Sequence, residues 1–298
     1  MDRAVGEACK RALGTRRGAV VAMDPRTGRV IALVNPELAL FNAYTPCSVF
    51  KIVVAIAGLS EGAITPSTVL TCRGGCWTWP GHGPLTLRRA LAVSCNPFFQ
   101  QVGEMVGWST VERYAHLLGL GAVSGINLTG ESPGLIPTRV PSARMPRIYS
   151  HATGVETSAV QLAVLLSATI NGGIVYQPEV AGPRDFVPHE RWRLPKGTRL
   201  DGLAEGFLSA VNEGSAMPAF DPDVVVAGKT GTCSRLGWFA SYHATNEPDL
   251  VIVVLTKPGN GHRASAVAGQ IYIDLYKAGA ASMSTHLSSG ARPAEQPF

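Results

Sequence analysis

The apolar positions along this chain change period several times, and each change marks an element. Val5, Ala8, Cys9 and Leu13 share one helical side within residues 1–17, opposite Arg3, Lys10 and Arg16, which predicts an amphipathic opening helix. Two continuous apolar runs follow, Gly18 to Met23 and Arg29 to Val34. They read as strands joined by a hairpin turn at Asp24-Pro25-Arg26-Thr27-Gly28. The run from Ser48 to Ser60 predicts a helix stopped by Gly62, and Gly74 to Pro84 a loop rich in Gly, Pro and Trp. Helices are expected at 86–93, about 97–106, about 109–118 and 158–171, with Pro97 suited to a first turn. Between the last two, residues 131–150 carry Pro133, Pro137, Pro141 and Pro146 and read as irregular.

A helix is expected over 201–213, strands over 224–230, 237–242 and 250–256, and a last helix over about 265–277. Residues 278–298 are small and polar and read as a disordered tail. Strands joined by short turns must be antiparallel. The predicted fold class is therefore α+β. Both ends of the chain build one central antiparallel five-stranded sheet, flanked by helices on both faces. The sheet part would take residues 1–62 and 201–277, and an all-helical lobe about 63–200. No internal repeat is visible.

Bulk composition narrows the classes. With 298 residues, 46% hydrophobic content and a mean hydropathy of +0.14, the chain can bury a sizeable core. Its longest apolar run, Leu250 to Leu255, is too short to span a bilayer, and no basic-then-apolar leader opens it. Any membrane anchor or targeting segment is thus expected to be absent from this chain. The net charge is +5, yet only six of the 26 basic residues are lysine, and no basic run has interleaved aromatics. That argues against nucleic-acid binding. A mildly basic surface suits an anionic one such as a cell wall, or reflects ordinary solubility charge.

The cysteines are Cys9, Cys47, Cys72, Cys76, Cys95 and Cys233. Cys72 and Cys76 could close a small disulfide or stay as thiols. No second C-x-x-C or His pair completes a zinc spacing, so neither a metal site nor a cofactor is expected. Cys95 and Cys233 read as small buried fillers, and His82 as structural.

The candidate chemistry begins at Ser48-Val49-Phe50-Lys51. Residues three apart on a helix share a face, which would bring the lysine amine beside the serine hydroxyl. Alone the pattern is weak: 20 serines and six lysines give roughly 0.4 chance matches in a chain of this length. Two further motifs follow in order. Ser94-Cys95-Asn96 lies between two predicted helices. Lys229-Thr230-Gly231-Thr232 lies on a predicted strand, with Gly231 where a backbone must let a ligand approach closely.

S-x-x-K, S-x-N and K-T-G in this order and context resemble the penicillin-recognising serine acyl-enzymes. Gly81-His82-Gly83-Pro84-Leu85-Thr86-Leu87, Gly119-Leu120-Gly121 with Gly130-Glu131, Gln161-Leu162-Ala163 with Asn171-Gly172-Gly173, and Ala227 to Thr232 are similar to the class B, monofunctional penicillin-binding proteins. So is the opening hairpin, Val21 to Gly28. The likeness spans about residues 1–277. It implies a penicillin-binding-protein/β-lactamase-like fold and a serine-type D-Ala-D-Ala transpeptidase.

On that resemblance Ser48 is the nucleophile and Lys51 its base, active as a neutral amine. Ser94 relays a proton, Asn96 orients Lys51 and the substrate amide, and Lys229 supplies a second charge. Lys229, Thr230, Gly231 and Thr232 form the carboxylate dock, and the backbone N–H groups of Ser48 and Thr232 the oxyanion hole. The implied partners are peptidoglycan stem peptides, β-lactams as covalent inhibitors, and other cell-wall synthesis proteins. The implied location is the extracytoplasmic face of the bacterial cytoplasmic membrane. A D,D-carboxypeptidase, a serine β-lactamase or a non-enzymatic β-lactam sensor are the rival readings. Glu131 offers no argument for a deacylating water. Cys47 stands where the family usually has glycine, and with Cys95 and Cys233 it raises the idea of redox control.

Overall fold

The computed structural model describes residues 2–76, 78–181 and 186–279. Its centre is a five-stranded antiparallel sheet built from both ends of the chain. β1 (Gly18–Met23) and β2 (Val30–Val34) come from the N-terminal end; β7 (Val226–Cys233), β8 (Leu236–His243) and β9 (Val251–Thr256) close the chain. The order is β2-β1-β9-β8-β7, with Val20 opposite both Val34 and Val254. β9 is central and entirely buried, which explains its unbroken apolar sequence: both faces are covered.

Alternation along the strands divides those faces into two cores. Val20, Ala22, Ile252, Val254 and Phe239 pack against α1 (Arg3–Leu13) and α9 (Gly261–Lys277). Val5, Ala8, Cys9 and Leu13 are the buried side of α1, as the sequence predicts. Val21, Val251, Val253, Leu255 and Trp238 face the other way, into the core shared with α2 (Lys51–Ser60) and α7 (Ala159–Ile170). α7 is mostly apolar and buried on every side, with only Gln161, Ser167 and Thr169 polar. Its start is set by a capping box between Ser158 and Gln161.

The lobe carries α3 (Leu87–Ala92), α4 (Asn96–Val106), α5 (Trp108–Leu117) and α6 (Met145–His151). α8 (Leu203–Glu213) packs on α3 and on β7, so it bridges lobe and sheet. The lobe also holds two small hairpins that its composition hides: β3 (Leu70–Cys72) with β4 (Gly83–Leu85), and β5 (Ile174–Tyr176) with β6 (Glu190–Arg193). Strands of three or four residues are too short to show a period. α6 is a second departure, lying in the stretch expected to be irregular. Pro146 falls in its first turn, where no intrahelical donor is lost. α9 starts four residues earlier than expected because Asn260 caps it, its Oδ1 accepting from the Arg263 N–H at 2.9 Å. Residues 280–298, most of the expected disordered tail, lie outside the described residues.

One cysteine expectation is overturned. Cys233 is no filler: it is disulfide-bonded to Cys47, with the Cα atoms 5.7 Å apart across a sequence separation of 186. Nothing local in either segment marks the pairing, which depends on where β7 passes the head of α2. Cys72, Cys76 and Cys95 remain thiols.

Candidate active site

Ser48 sits in a 3-10 turn, Cys47–Phe50, that runs straight into α2. From Pro46 to Leu59 every residue is buried except Ser48, so the chain presents one hydroxyl at the head of an apolar helix. Cys47 has φ 54°, the left-handed region that L side chains adopt at a cost of order 1–3 kcal/mol. The glycine usual at this position in the family meets that demand without strain; here the cross-link to Cys233 holds the backbone in place.

The Ser94 turn is built alike. α3 ends at Ala92, Ser94 takes φ 54°, and α4 begins at Asn96 with Pro97 in its first turn. The reversal swings Ser94 and Asn96 toward α2. Lys51 Nζ donates to the Ser94 carbonyl at 2.7 Å, to Asn96 Oδ1 at 2.7 Å and to Ser94 Oγ at 3.1 Å. From β7, Lys229 Nζ donates to the same Ser94 Oγ at 2.8 Å and to the Thr230 carbonyl at 3.0 Å. The Ser94 hydroxyl therefore stands between two amines from different parts of the chain.

Both lysines are fully buried. Taking an ammonium out of water costs several kcal/mol, and hydrogen bonds to a charged group return about 1.5–3 kcal/mol each. Neutralisation is the alternative. Burial lowers Lys51 to about 7, against the opposing pull of the Cys76 and Cys95 thiols. Burial also holds Lys229 well below the ordinary lysine range, and the Lys51 charge pushes the same way. Two ammonium groups on one hydroxyl repel, so one of the pair gives up its proton most readily.

Ser48 Oγ donates to the Ser150 carbonyl at 3.5 Å, while the hydrogen bonds of Lys51 run to Ser94 and Asn96. The helical spacing thus brings Ser48 and Lys51 to one site without the direct contact that simple i, i+3 geometry suggests. The last turn of α6 also adds groups that the motifs do not name. Ser150 Oγ accepts from Gln100 Nε2 at 3.0 Å and lies 2.7 Å from His151 Nδ1. Burial, with the charges of Lys51 and Arg147, lowers His151 below the usual histidine range. A Ser-His pair in a proline-rich stretch carries no spacing signal that could have flagged it.

β7 is the sheet's edge strand, so every second residue points its N–H and C=O away from β8 toward the cleft. Thr230 Oγ1 is 2.7 Å from Ser215 Oγ. Thr232 is exposed, and its Oγ1 accepts from the Gly261 N–H at 2.7 Å, which leaves its O–H to donate. Gly231 packs closely on the Ser48 turn. A Cβ there would stand 2.7 Å from the Pro46 carbonyl and 3.2 Å from Val49 Cγ2. The glycine admits the turn that carries Ser48.

Ser48, Ser94, Asn96, His151, Thr230 and Thr232 line one cleft of about 630 Å³. Lys51 and Lys229 lie beneath it. Glu131 is elsewhere, its carboxylate accepting from the backbone N–H groups of Ser124 and Gly125 at 2.7 and 3.2 Å. One group outside this constellation was not expected at all. The chain spacing predicts no metal centre, yet the fold gathers the ligand atoms of Cys72, Cys76, His82 and Cys95 within 4.8 Å of one another.

Sheet, lobe and cleft together place this chain in the penicillin-recognising class of folds. It belongs to the penicillin-binding-protein transpeptidase domain family, whose model matches residues 18–277, and its relatives lie on the class B side of it. Stage V sporulation protein D of Bacillus subtilis is 25% identical over 289 residues, covering 78% of this chain and 44% of that protein. Peptidoglycan D,D-transpeptidase MrdA of Escherichia coli K12 is 28% identical over 291 residues, covering 76% and 45%. The chain thus spans about half the length of the curated relatives it matches. Among solved structures, the penicillin-binding protein PBP2 of Helicobacter pylori, in complex with MreC, superposes with a TM-score of 0.83 at 17% identity, over 93% of this chain and 63% of that one. That likeness is one of fold.

Proposed function

We propose that this chain is the catalytic domain of a D,D-transpeptidase that cross-links peptidoglycan stem peptides through an acyl-enzyme on Ser48. The observation that carries the reading is the shared Ser94 hydroxyl: two buried amines, Lys51 and Lys229, converge on it beside the one solvent-reaching residue of the α2 head. In this reading neutral Lys51 takes the proton from Ser48 as Oγ attacks the penultimate D-alanyl carbonyl. The N–H groups of Ser48 and Thr232 stabilise the oxyanion, each worth about 3 kcal/mol. The proton passes through Ser94 to the departing D-alanine nitrogen, and an acceptor amine then takes the acyl group and restores Ser48. Asn96 Oδ1 holds Lys51, which leaves its amide N–H₂ for the substrate. Lys229, Thr230 and Thr232 receive the terminal carboxylate. Gly231 serves by letting β7 close on the Ser48 turn.

The sheet part, 1–62 and 201–277, then supplies Ser48, Lys51 and the carboxylate dock, and the lobe, 63–200, supplies Ser94 and Asn96. The reading extends to β-lactams as covalent inhibitors and to partners in cell-wall synthesis, in keeping with MrdA-type relatives and with the MreC complex of the H. pylori protein. It places the site on the outer side of the bacterial cytoplasmic membrane, where a disulfide such as Cys47–Cys233 persists. Among the described residues no helix is long and apolar enough to cross a membrane. A β-lactamase reading is disfavoured because the Glu131 carboxylate is spent on the Ser124 and Gly125 backbone.

The test is a chromogenic β-lactam followed through burst and steady state. The expected result is a stoichiometric burst, a matching mass increase and little turnover. Sustained turnover would convert the reading to a hydrolase, and no burst from folded protein would end it. An acceptor-strand assay with stem peptide then separates a transpeptidase from a sensor.

A further inference from the structure

We propose that His151 binds the acceptor amine of the second half-reaction, accepting one of its N–H groups at Nε2 and so turning the amine lone pair toward the acyl carbon on Ser48. The inference rests on the acyl-transfer reading and names a residue that selects its acceptor. His151 lines the same cleft as Ser48, yet no step of the proposed reaction uses it.

Its place follows from the end of α6. His151 is the last residue of that helix, and Ala152, at φ 56°, turns the chain away directly after it. The preceding residue, Ser150, puts its carbonyl 3.5 Å from Ser48 Oγ, so the end of α6 abuts the nucleophile. β7 reaches the same turn from the sheet, and its Thr230 and Thr232 are taken by the carboxylate of the donor strand. The α6 end is left for the second substrate.

The hydrogen bonds of Ser150 set the imidazole tautomer. The Ser150 hydroxyl has one proton, and it goes to the Pro146 carbonyl at 2.9 Å. The same oxygen accepts from Gln100 Nε2 at 3.0 Å and lies 2.7 Å from His151 Nδ1. Nδ1 must then carry the hydrogen and donate, which leaves Nε2 with its lone pair. Among the described residues Nε2 has no hydrogen-bond partner. Burial first, then the charges of Lys51 and Arg147, hold the imidazole below the ordinary histidine range, so it is neutral at pH 7.

These groups choose the chemistry of the ligand. Acylation removes the hydroxyl hydrogen of Ser48, and the Ser150 carbonyl then loses its donor as well. The α6 end presents two acceptors to the ester, which suits a group rich in N–H. The Lys51 and Arg147 charges that act there disfavour an ammonium and favour the neutral amine, which is the nucleophile. In the transfer step the amine nitrogen bonds to the acyl carbon and the ester bond to Ser48 Oγ breaks. The proton that the nitrogen sheds reaches Ser48 Oγ through Lys51 and Ser94, while Nε2 keeps hold of the other N–H. The step needs no further reactant.

The test uses the whole chain and an acyl-D-alanyl thioglycolate donor, whose thiol leaving group keeps a terminal carboxylate. D-Alanine is the acceptor probe. Mass spectrometry counts the amide formed with D-alanine against the free acid formed with water. That ratio is independent of how fast Ser48 is acylated, so a merely structural defect slows both products and leaves it unmoved. His151→Phe, which keeps a ring and removes the acceptor, is expected to lower the ratio about tenfold. His151→Gln, whose amide oxygen can accept, is expected to keep about half of the wild-type ratio. Ser150→Ala releases Nδ1 and is expected to fall between the two; it carries the test if the ring replacement does not fold. A ratio unchanged in His151→Phe, or in Ser150→Ala should that replacement fail to fold, would overturn the proposal. Wild-type protein that forms no acyl adduct would end the acyl-transfer reading itself; a normal adduct with an unmoved ratio would end this inference alone.

Discussion

The two walls of the cleft are each anchored by cysteines, but by different chemistry. On the sheet wall, Cys47 immediately precedes Ser48, Cys233 immediately follows Thr232, and a disulfide joins them. On the lobe wall, Cys95 sits inside the Ser94-Asn96 turn among Cys72, Cys76 and His82, all thiols and an imidazole. Both walls also hold a non-glycine residue at φ 54°, Cys47 on one side and Ser94 on the other. A left-handed turn aims a hydroxyl or an amide into a cleft at an energetic cost, and something beyond the turn must hold it there. The sheet wall does so covalently. The lobe wall relies on the hydrogen bonds that tie Ser94 and Asn96 to Lys51. The comparison teaches that residue type decides less than placement: five cysteines of one chain serve two walls in two ways.

The comparison breaks most completely at the residues where the walls meet. Ser48→Ala is expected to abolish acylation by a chromogenic β-lactam and the accompanying mass shift, with the thermal midpoint unchanged within a few degrees. Ser94→Ala, which removes the hydroxyl shared by Lys51 and Lys229, is expected to slow acylation about 10²–10⁴-fold in stopped-flow traces. A retained fast burst would show that the lobe wall does not carry the proton.

Replacing both Cys47 and Cys233 with serine sharpens the asymmetry. A cross-link closing a loop of 186 residues contributes about 5 kcal/mol, so the denaturation midpoint is expected to fall accordingly. An unchanged midpoint would make the covalent anchor irrelevant to stability. Reduction in the native state tests the same point and decides whether the bond also governs reactivity.

The pH dependence follows from Lys51. Burial lowers it to about 7, and only the neutral amine can accept the Ser48 proton. The acylation rate is expected to rise about tenfold per pH unit below 7 and to level off above it. A rate flat from pH 5 to 9 would remove Lys51 as the base. The smallest effect belongs to a residue on neither wall. Glu131→Gln weakens the acceptors for Ser124 and Gly125 and is expected to cost about 1–2 kcal/mol in chemical denaturation. β-Lactam turnover should not change; an altered turnover would reopen the hydrolase reading.

Much of this was legible along the chain, and the reasons are local. β1, β2 and β9 show as unbroken apolar runs, and the main helices show their period or their caps. Ser48, Lys51, Ser94, Asn96 and Lys229 stand in motifs whose spacing survives without knowledge of the fold. The short pieces were not legible. β3 to β6 are too brief to show a period, and α6 hides among prolines that are tolerated only because one falls in a first turn.

The amino-acid sequence by itself determined the antiparallel sheet with its helices and the three motifs, because these rest on periodicity and on spacing within single elements. Tertiary structure alone decided which groups meet across elements. It paired Cys47 with Cys233, packed Gly231 against Pro46, and gathered Cys72, Cys76, His82 and Cys95. It also brought the Ser150 carbonyl to the Ser48 hydroxyl and His151 into the same cleft. Such contacts depend on how helices and strands pack against one another, and no local pattern encodes a distance between residues far apart in the chain.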